Sequence, residues 1–363
     1  MKAVELAFKF GIDHHSATAF IGWATINCSV LEKFDEGYKH GKAALKMQEL
    51  FEDDSRLALQ LFVWANFIQH WKEPLRNTLP VMLESHKVAC KTGSVFILVY
   101  SGAHYCYHSF FAGDNLTALV PEFEKYQAVV ENRGHYGAIS TIGVYYQTVL
   151  NLTGASAEPC RLVGSACDET VMIPRFVANK ESVSLYDLFQ CKMVLALLFG
   201  RYEEAYLAAL EVEKYSSAVV GTYSIGVRPF YDSVVCLKLR EETAGQKKSQ
   251  LLKRVSTNQQ KLKKYAKASP ANYLHKYNLV GALLASCKNK TERAGALFDE
   301  AIQGAIENRF TNDAALASEL AALHFSALCD GDLSRSHAKR ALSHYQEWGA
   351  GAKAEHVKKV FGL

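Results

Sequence analysis

Thr291-Glu292-Arg293-Ala294-Gly295-Ala296-Leu297-Phe298-Asp299-Glu300-Ala301-Ile302-Gln303-Gly304-Ala305 is the stretch that decides the fold. Ala294, Leu297, Phe298, Ala301, Ile302 and Ala305 recur at helical spacing and make one apolar stripe, while Glu292, Arg293, Asp299, Glu300 and Gln303 lie off it. A second helix is expected after Asn312, read as its N-cap, with Ala314, Ala317 and Ala321 beside Leu316, Leu320 and Leu323. Gly331-Asp332 should break it, and a third helix is expected from Leu333 to about Tyr345.

Upstream the same pattern repeats. Val183 to Phe199 is an apolar segment closed by Gly200, and Tyr202-Glu203-Glu204-Ala205 opens a partner with Ala205, Ala208, Ala209 and Val212 on one face. A glycine followed by Tyr-Glu-Glu-Ala and small residues at helical spacing marks the junction of a tetratricopeptide helix pair, where the second helix packs closely on the first. Comparable pairs are Ala17 to Val30 with Phe34 to Leu50, Arg56 to Phe67 with Leu75 to Cys90, and Val95 to Phe111 with Leu116 to Val130, followed by Gly137 to Leu152. Each unit is roughly 35 to 40 residues, the period of a helical solenoid. Pro74, Pro121 and Pro270 are read as helix starts, where a missing amide hydrogen costs nothing.

The expected fold is all-α, a tetratricopeptide-like α-solenoid: a right-handed superhelix of about 14 to 16 helices in hairpins. Residues 1–152 form N-terminal repeats, 153–180 a long inter-repeat loop containing Gly154, Pro159, Gly164 and Pro174, and 181–363 C-terminal repeats. Between Ser216 and Leu237, Val219, Val220, Ile225, Val227, Val234 and Val235 make strand propensity compete with helix.

Composition narrows the function classes. With 363 residues, 49% apolar and only 7 prolines, the chain buries a large core in long uninterrupted elements, which excludes disordered and disulfide-stapled classes. The balance of 41 basic against 37 acidic residues is too even for nucleic acid to be the main partner. The charge is concentrated, however, in a basic helix at about 238–267, where Lys238, Arg240, Lys247, Lys248, Lys253, Arg254, Lys261, Lys263, Lys264 and Lys267 face only Glu241 and Glu242. Leu251, Leu252, Val255, Leu262 and Tyr265 give this segment an apolar side, so it reads as amphipathic with a solvated Lys-rich face; docking to an acidic partner or nucleic acid is the alternative. Nine scattered cysteines without paired spacing suggest reduced thiols in a cytoplasmic protein. No apolar run approaches the roughly 18 to 20 residues of a membrane span, and the N-terminus has no secretory signature, so membrane insertion is not expected.

No catalytic signature is present. Gly37-Tyr38-Lys39-His40-Gly41-Lys42-Ala43-Ala44 is one residue short of a phosphate loop and has Ala where Ser or Thr would hold magnesium, so it reads as a helix stripe. His104 and His108, four apart in His104-Tyr105-Cys106-Tyr107-His108, are the weak metal candidates, with interhelical packing preferred because no further ligands are spaced to complete a site. Cys160 and Cys167 match no redox or zinc spacing, and His14-His15 is expected to be exposed. No catalytic residue and no cofactor are assigned.

These residues together resemble the long helical-repeat region of large signalling proteins that join a protein-kinase-like domain, an AAA or signal-transduction ATPase, and a C-terminal sensor or hybrid histidine kinase. The resemblance rests on His70-Trp71 and Pro74, on His104-Tyr105-Cys106-Tyr107, and on Gln147-Thr148-Val149-Leu150-Asn151-Leu152. It rests also on Cys160, Leu162 and Gly164 with Asp168-Glu169, on His275-Lys276-Tyr277, and on Trp348-Gly349 within Tyr345 to Lys353. It implies a non-catalytic regulatory or scaffold module that contacts a protein partner or attached ATPase and kinase domains through its groove. Each repeat would touch only its neighbours, giving a spring-like adaptor. The family's ATP and phosphohistidine sites have no counterpart in this sequence, and whether the chain is a fragment of a larger kinase or stands alone is left open.

Overall fold

Seventeen α-helices and no strand make up the described residues. The structure, a computed structural model, describes every residue except 1, 3, 6–8, 10, 14, 52, 53 and 133–135, and the side chains at 55 and 136–140 are likewise outside the description. His14 therefore lies outside the described residues. In chain order the helices are α1 (Ser16–Ser29), α2 (Phe34–Gln48), α3 (Asp54–Phe67), α4 (Thr78–Thr92), α5 (Val95–Phe111), α6 (Leu116–Asn132), α7 (Tyr136–Thr153) and α8 (Glu169–Ala178). There follow α9 (Ser182–Leu198), α10 (Tyr202–Tyr215), α11 (Tyr223–Glu241), α12 (Gly245–Ala268), α13 (Pro270–Ser286), α14 (Thr291–Glu307), α15 (Thr311–Ala327), α16 (Gly331–Trp348) and α17 (Gly351–Phe361).

Helices alternate in character along the chain. The even-numbered α2, α10, α12, α14 and α16 bury one stripe, Ala294, Phe298, Ala301, Ile302 and Ala305 in the case of α14. The odd-numbered α5, α9, α11, α13 and α15 are buried on nearly every face. From α1 to α13 each odd helix packs on the next odd helix as well as on an even partner, so these odd helices form an inner layer and the even helices an outer one. A helix enclosed on all sides has no solvent face, which is why its sequence is apolar all round rather than striped.

Several expectations need correction. Within 153–180, Glu169–Ala178 folds as α8, capped by the Asp168 side chain on the Thr170 amide; Pro174 and the β-branched Val171, Ile173 and Val177 had hidden its stripe. Between Ser216 and Leu237, where strand and helix propensities compete, the chain forms a 3-10 turn, Ser216–Val219, followed by α11, because packing on all sides overrides β propensity. The basic segment 238–267 is two elements: Lys238 and Arg240 end α11, and α12 begins at Gly245, whose φ is +62°. Phe310, not Asn312, holds the N-cap position of α15, and Gly331 opens α16 rather than breaking α15, with Asp330 accepting from the Leu333 amide. Pro121 lies inside α6, while Pro270 does sit in the first turn of α13.

The repeats also touch far more than their neighbours. One core cluster runs from Val4 to Val357, and the first half of the chain lies against the second. At the 3-10 turns Gln69–Trp71 and Leu75–Asn77, the His70 Nε2–H and the Trp71 indole N–H donate to the Gly221 carbonyl at 3.1 and 3.3 Å. Asn272 on α13 accepts from the Leu75 amide (2.8 Å) and donates to the His70 and Glu73 carbonyls (2.7 and 2.8 Å). Arg76 donates to the Arg309 carbonyl, Asn115 to the Glu347 carbonyl, and Lys264 pairs with Glu32. Gly221, at φ +86°, has no room for a side chain, since a Cβ there would meet Ser29 Oγ.

The signature residues His70, Trp71, Pro74, Trp348 and Gly349 thus lie at joints between distant segments. Trp348 is buried against Phe110, and the Gly349 backbone lies on Thr117. Replacing Asn272 by alanine strips three buried backbone groups of their partner, and the expected loss is about 2 kcal/mol in a urea titration.

Candidate functional site

Five successive inner helices converge on a pocket of about 260 Å³. Phe62, Asn66 and Phe67 reach it from α3; Phe96, Tyr100, His104 and Tyr107 from α5; Thr141 and Tyr145 from α7; Val183 and Asp187 from α9; Ser224 from α11. Ala218, Val219 and Thr222 close it from the turn before α11. Phe96, Val183 and Ala218 are exposed at the rim, and Tyr107, Tyr145 and Asp187 are buried at the base.

The polar groups of this wall have a common sense. His104 donates from Nδ1 to the Tyr100 carbonyl at 2.9 Å, and burial holds its ring neutral, pulled down to about 4, so Nε2 is an acceptor. Asp187 accepts from Thr141 Oγ1 at 3.1 Å and from the Tyr145 hydroxyl at 3.2 Å. It pairs with no cation among the described residues, and burial, only partly offset by those two hydroxyls, lifts its carboxyl to about 7. Asn66 Oδ1 is buried with no donor among the described residues.

The residues singled out in the sequence go elsewhere. His104 is in the pocket wall, but His108 is buried beneath it, donating from Nδ1 to Thr78 Oγ1 at 2.6 Å, so the two imidazoles do not converge. Among the described residues no group of three or more His, Cys, Asp or Glu is placed to hold a metal ion. Cys160 and Cys167 are free and buried, and burial raises their thiols to about 11 and about 12, so neither is a thiolate at neutral pH. Leu162 is inserted fully into the core and Gly164 packs on the Gln147 amide, while the Asn151 side chain donates to the Pro159 and Arg161 carbonyls. Cys160, Leu162 and Gly164 therefore belong to a packed connection.

Of the basic residues, Arg254 forms a two-oxygen contact with buried Asp232 at 2.8 Å and a second pair with Glu213, and Lys247 pairs with Glu203. Lys253, Lys261 and Lys263 are exposed on α12, Lys248 is half-buried, and Lys264 is held by Glu32. His15 is exposed beside the Arg56 guanidinium.

Asp187, Thr141, Tyr145 and Asn66 were not anticipated from sequence. The available signal was an acid inside the apolar run Leu185-Tyr186-Asp187-Leu188-Phe189, since a charge on a helix that is otherwise apolar all round is rare without a purpose. No helix is long and apolar enough to cross a membrane among the described residues. No protein-family profile matches the chain, and no curated protein matches its sequence.

Proposed function

We propose that the chain is a tetratricopeptide-like right-handed superhelix of helical hairpins, acting in the cytoplasm as a non-catalytic regulatory module. Its recognition site is the pocket at the base of the inner layer, where it takes up a ligand or a partner segment. The protein-protein or interdomain contacts it makes in signal transduction are those suggested by its resemblance to helical-repeat regions of sensor kinases. One observation carries this reading: five inner helices in succession contribute to a single open pocket with unsatisfied polar atoms in its wall. Such a concave, mostly apolar site with a few convergent polar groups is the usual form of a recognition pocket. The contacts between distant segments support a stiff frame rather than a spring, so occupancy would be transmitted by the relative placement of inner helices.

The test is a fragment screen by ligand-observed NMR on the wild-type chain and on Ala218→Trp. Ala218 is exposed at the rim, so the indole covers the mouth while stability changes by no more than about 0.5 kcal/mol. Fragments that bind the wild type are expected to lose binding to the variant at least tenfold. Fragments that bind both equally would remove the pocket from the account.

A further inference from the structure

Resting on the pocket reading above, we infer that the group this site receives is an organic cation, an ammonium or guanidinium carried on a short apolar or aromatic stem. The polar groups that line the cavity supply acceptors at three separate places, the Asp187 carboxylate, Asn66 Oδ1 and His104 Nε2, and its two unpartnered hydroxyls, Tyr107 and Ser224, can accept as well as donate. No Lys, Arg or second carboxylate lines it among the described residues. A buried carboxylate is ordinarily paired, and this chain pairs its other deeply buried acids: Asp232 with Arg254, Asp313 with Lys276 and Glu319 with Lys353. Asp187 has two hydroxyl donors and lone pairs left over.

The walls fit the same ligand. Phe62, Phe67, Tyr100, Tyr107 and Tyr145 surround the space, and ring faces attract a desolvated cation. The volume, about 260 Å³, is below the ~300–1,000 Å³ usual for drug-sized ligands. It suits one arylalkylamine or one basic side chain. These two sources share the chemistry, and the experiment separates them.

Binding should be linked to protons. Asp187 must be ionised to act as counterion, so affinity rises with pH through its titration near 7. The titratable groups facing it are Tyr107 from α5, Tyr145 from α7, and Tyr186 and Cys191 from its own helix; burial raises all four, so they stay neutral across that interval. Two more titratable groups stand in the wall: burial raises the Tyr100 hydroxyl, and His104 is neutral above about 4. No titratable side chain of α11 lines the cavity.

Titration calorimetry on the full chain at pH 8 would compare phenethylammonium with its neutral isostere 2-phenylethanol and its anionic isostere 3-phenylpropionate. A capped Gly-Lys-Gly peptide forms the macromolecular arm. The expected result is at least tenfold tighter binding of phenethylammonium than of either isostere, weakening at least fivefold between pH 8 and pH 6. Asp187→Asn, which keeps the shape of the protonated acid, should erase the preference. Tighter binding of the peptide than of the amine would support the cation and identify a protein side chain as its source. Equal binding of the three isosteres would overturn the cation inference and leave the pocket standing. Absence of binding by phenethylammonium and the peptide overturns it as well, and the Ala218→Trp screen then decides the pocket separately.

Discussion

Asp313→Ala is expected to lower the unfolding free energy by about 3–5 kcal/mol, because it strands a buried ammonium. Asp313 and Lys276 are almost inaccessible. Lys276 Nζ donates to Asp313 at 2.6 Å and to the Asn272 carbonyl at 3.1 Å, and it lies 4.1 Å from the centre of the Phe310 ring. Burial pulls the Lys276 ammonium below the usual lysine range, while Lys276 and His275 together hold Asp313 below the usual carboxylate range. Without Asp313 the ammonium must give up its proton or draw water into the junction of α13 and α15. The pair itself need not be a net gain, since desolvation cancels much of its attraction. The double variant Lys276→Met/Asp313→Leu is therefore expected to recover most of the loss. Guanidinium titrations of the three proteins check this. A single variant within about 1 kcal/mol of wild type would mean that Lys276 finds another counterion. Lys353, Glu319 and the Tyr345 hydroxyl repeat the device between α15, α16 and α17, so the last helices are stapled twice by buried charge.

How much of this was legible in the sequence depends on which layer a residue serves. Outer helices such as α14 meet core on one side and water on the other, and that contrast is written into Ala294, Leu297, Phe298, Ala301 and Ile302 at helical spacing. The helix pairs and most of their ends follow from it. Inner helices carry no such contrast: α9 is buried from Ser184 to Leu198 on nearly every face, so its sequence announces burial without saying against what. Contacts across great sequence distance, as between Asn272 and the His70 to Leu75 turn, leave no period at all. The neighbour-only packing expected of the repeats fails for this reason. The same holds for the pocket, whose wall comes from α3, α5, α7, α9 and α11 and exists only when those helices are stacked. What did stand in the sequence, unread, were charges in apolar helices: Asp187, Asp232, Lys276, Glu319 and Lys353. Four of these have partners in the fold, and the one left over marks the candidate site.

Acidification from pH 7 to pH 4.5 should destabilise the fold by a few kcal/mol, and the sign follows from which state binds the protons. His70 and His275 are buried with neutral rings, pulled down to about 4 chiefly by burial, whereas unfolded imidazoles take up protons near 6.5. Between those values the unfolded chain binds more protons than the native one, so stability falls as pH falls. At 1.36 kcal/mol per unit, each contributes about 3 kcal/mol by pH 4. Asp187 works in the opposite direction: its native carboxyl, raised to about 7, holds a proton that the unfolded carboxyl near 3.8 has released. Acid therefore favours the native state at this one group, by about 4 kcal/mol over the full interval. His104, pulled down to about 4 by burial, acts in the same sense, so three histidines outweigh one aspartate, and His108, lowered well below 6.5 by burial and by neighbouring His70 and His104, adds to their side. Asp187→Asn removes the opposing contribution, so the variant should lose stability more steeply than wild type over the same pH range. Urea titrations of both chains at pH 7.0, 5.5 and 4.5 measure the two slopes. Parallel slopes would show that Asp187 is ionised in the native pocket at neutral pH, which would place a counterion beside it.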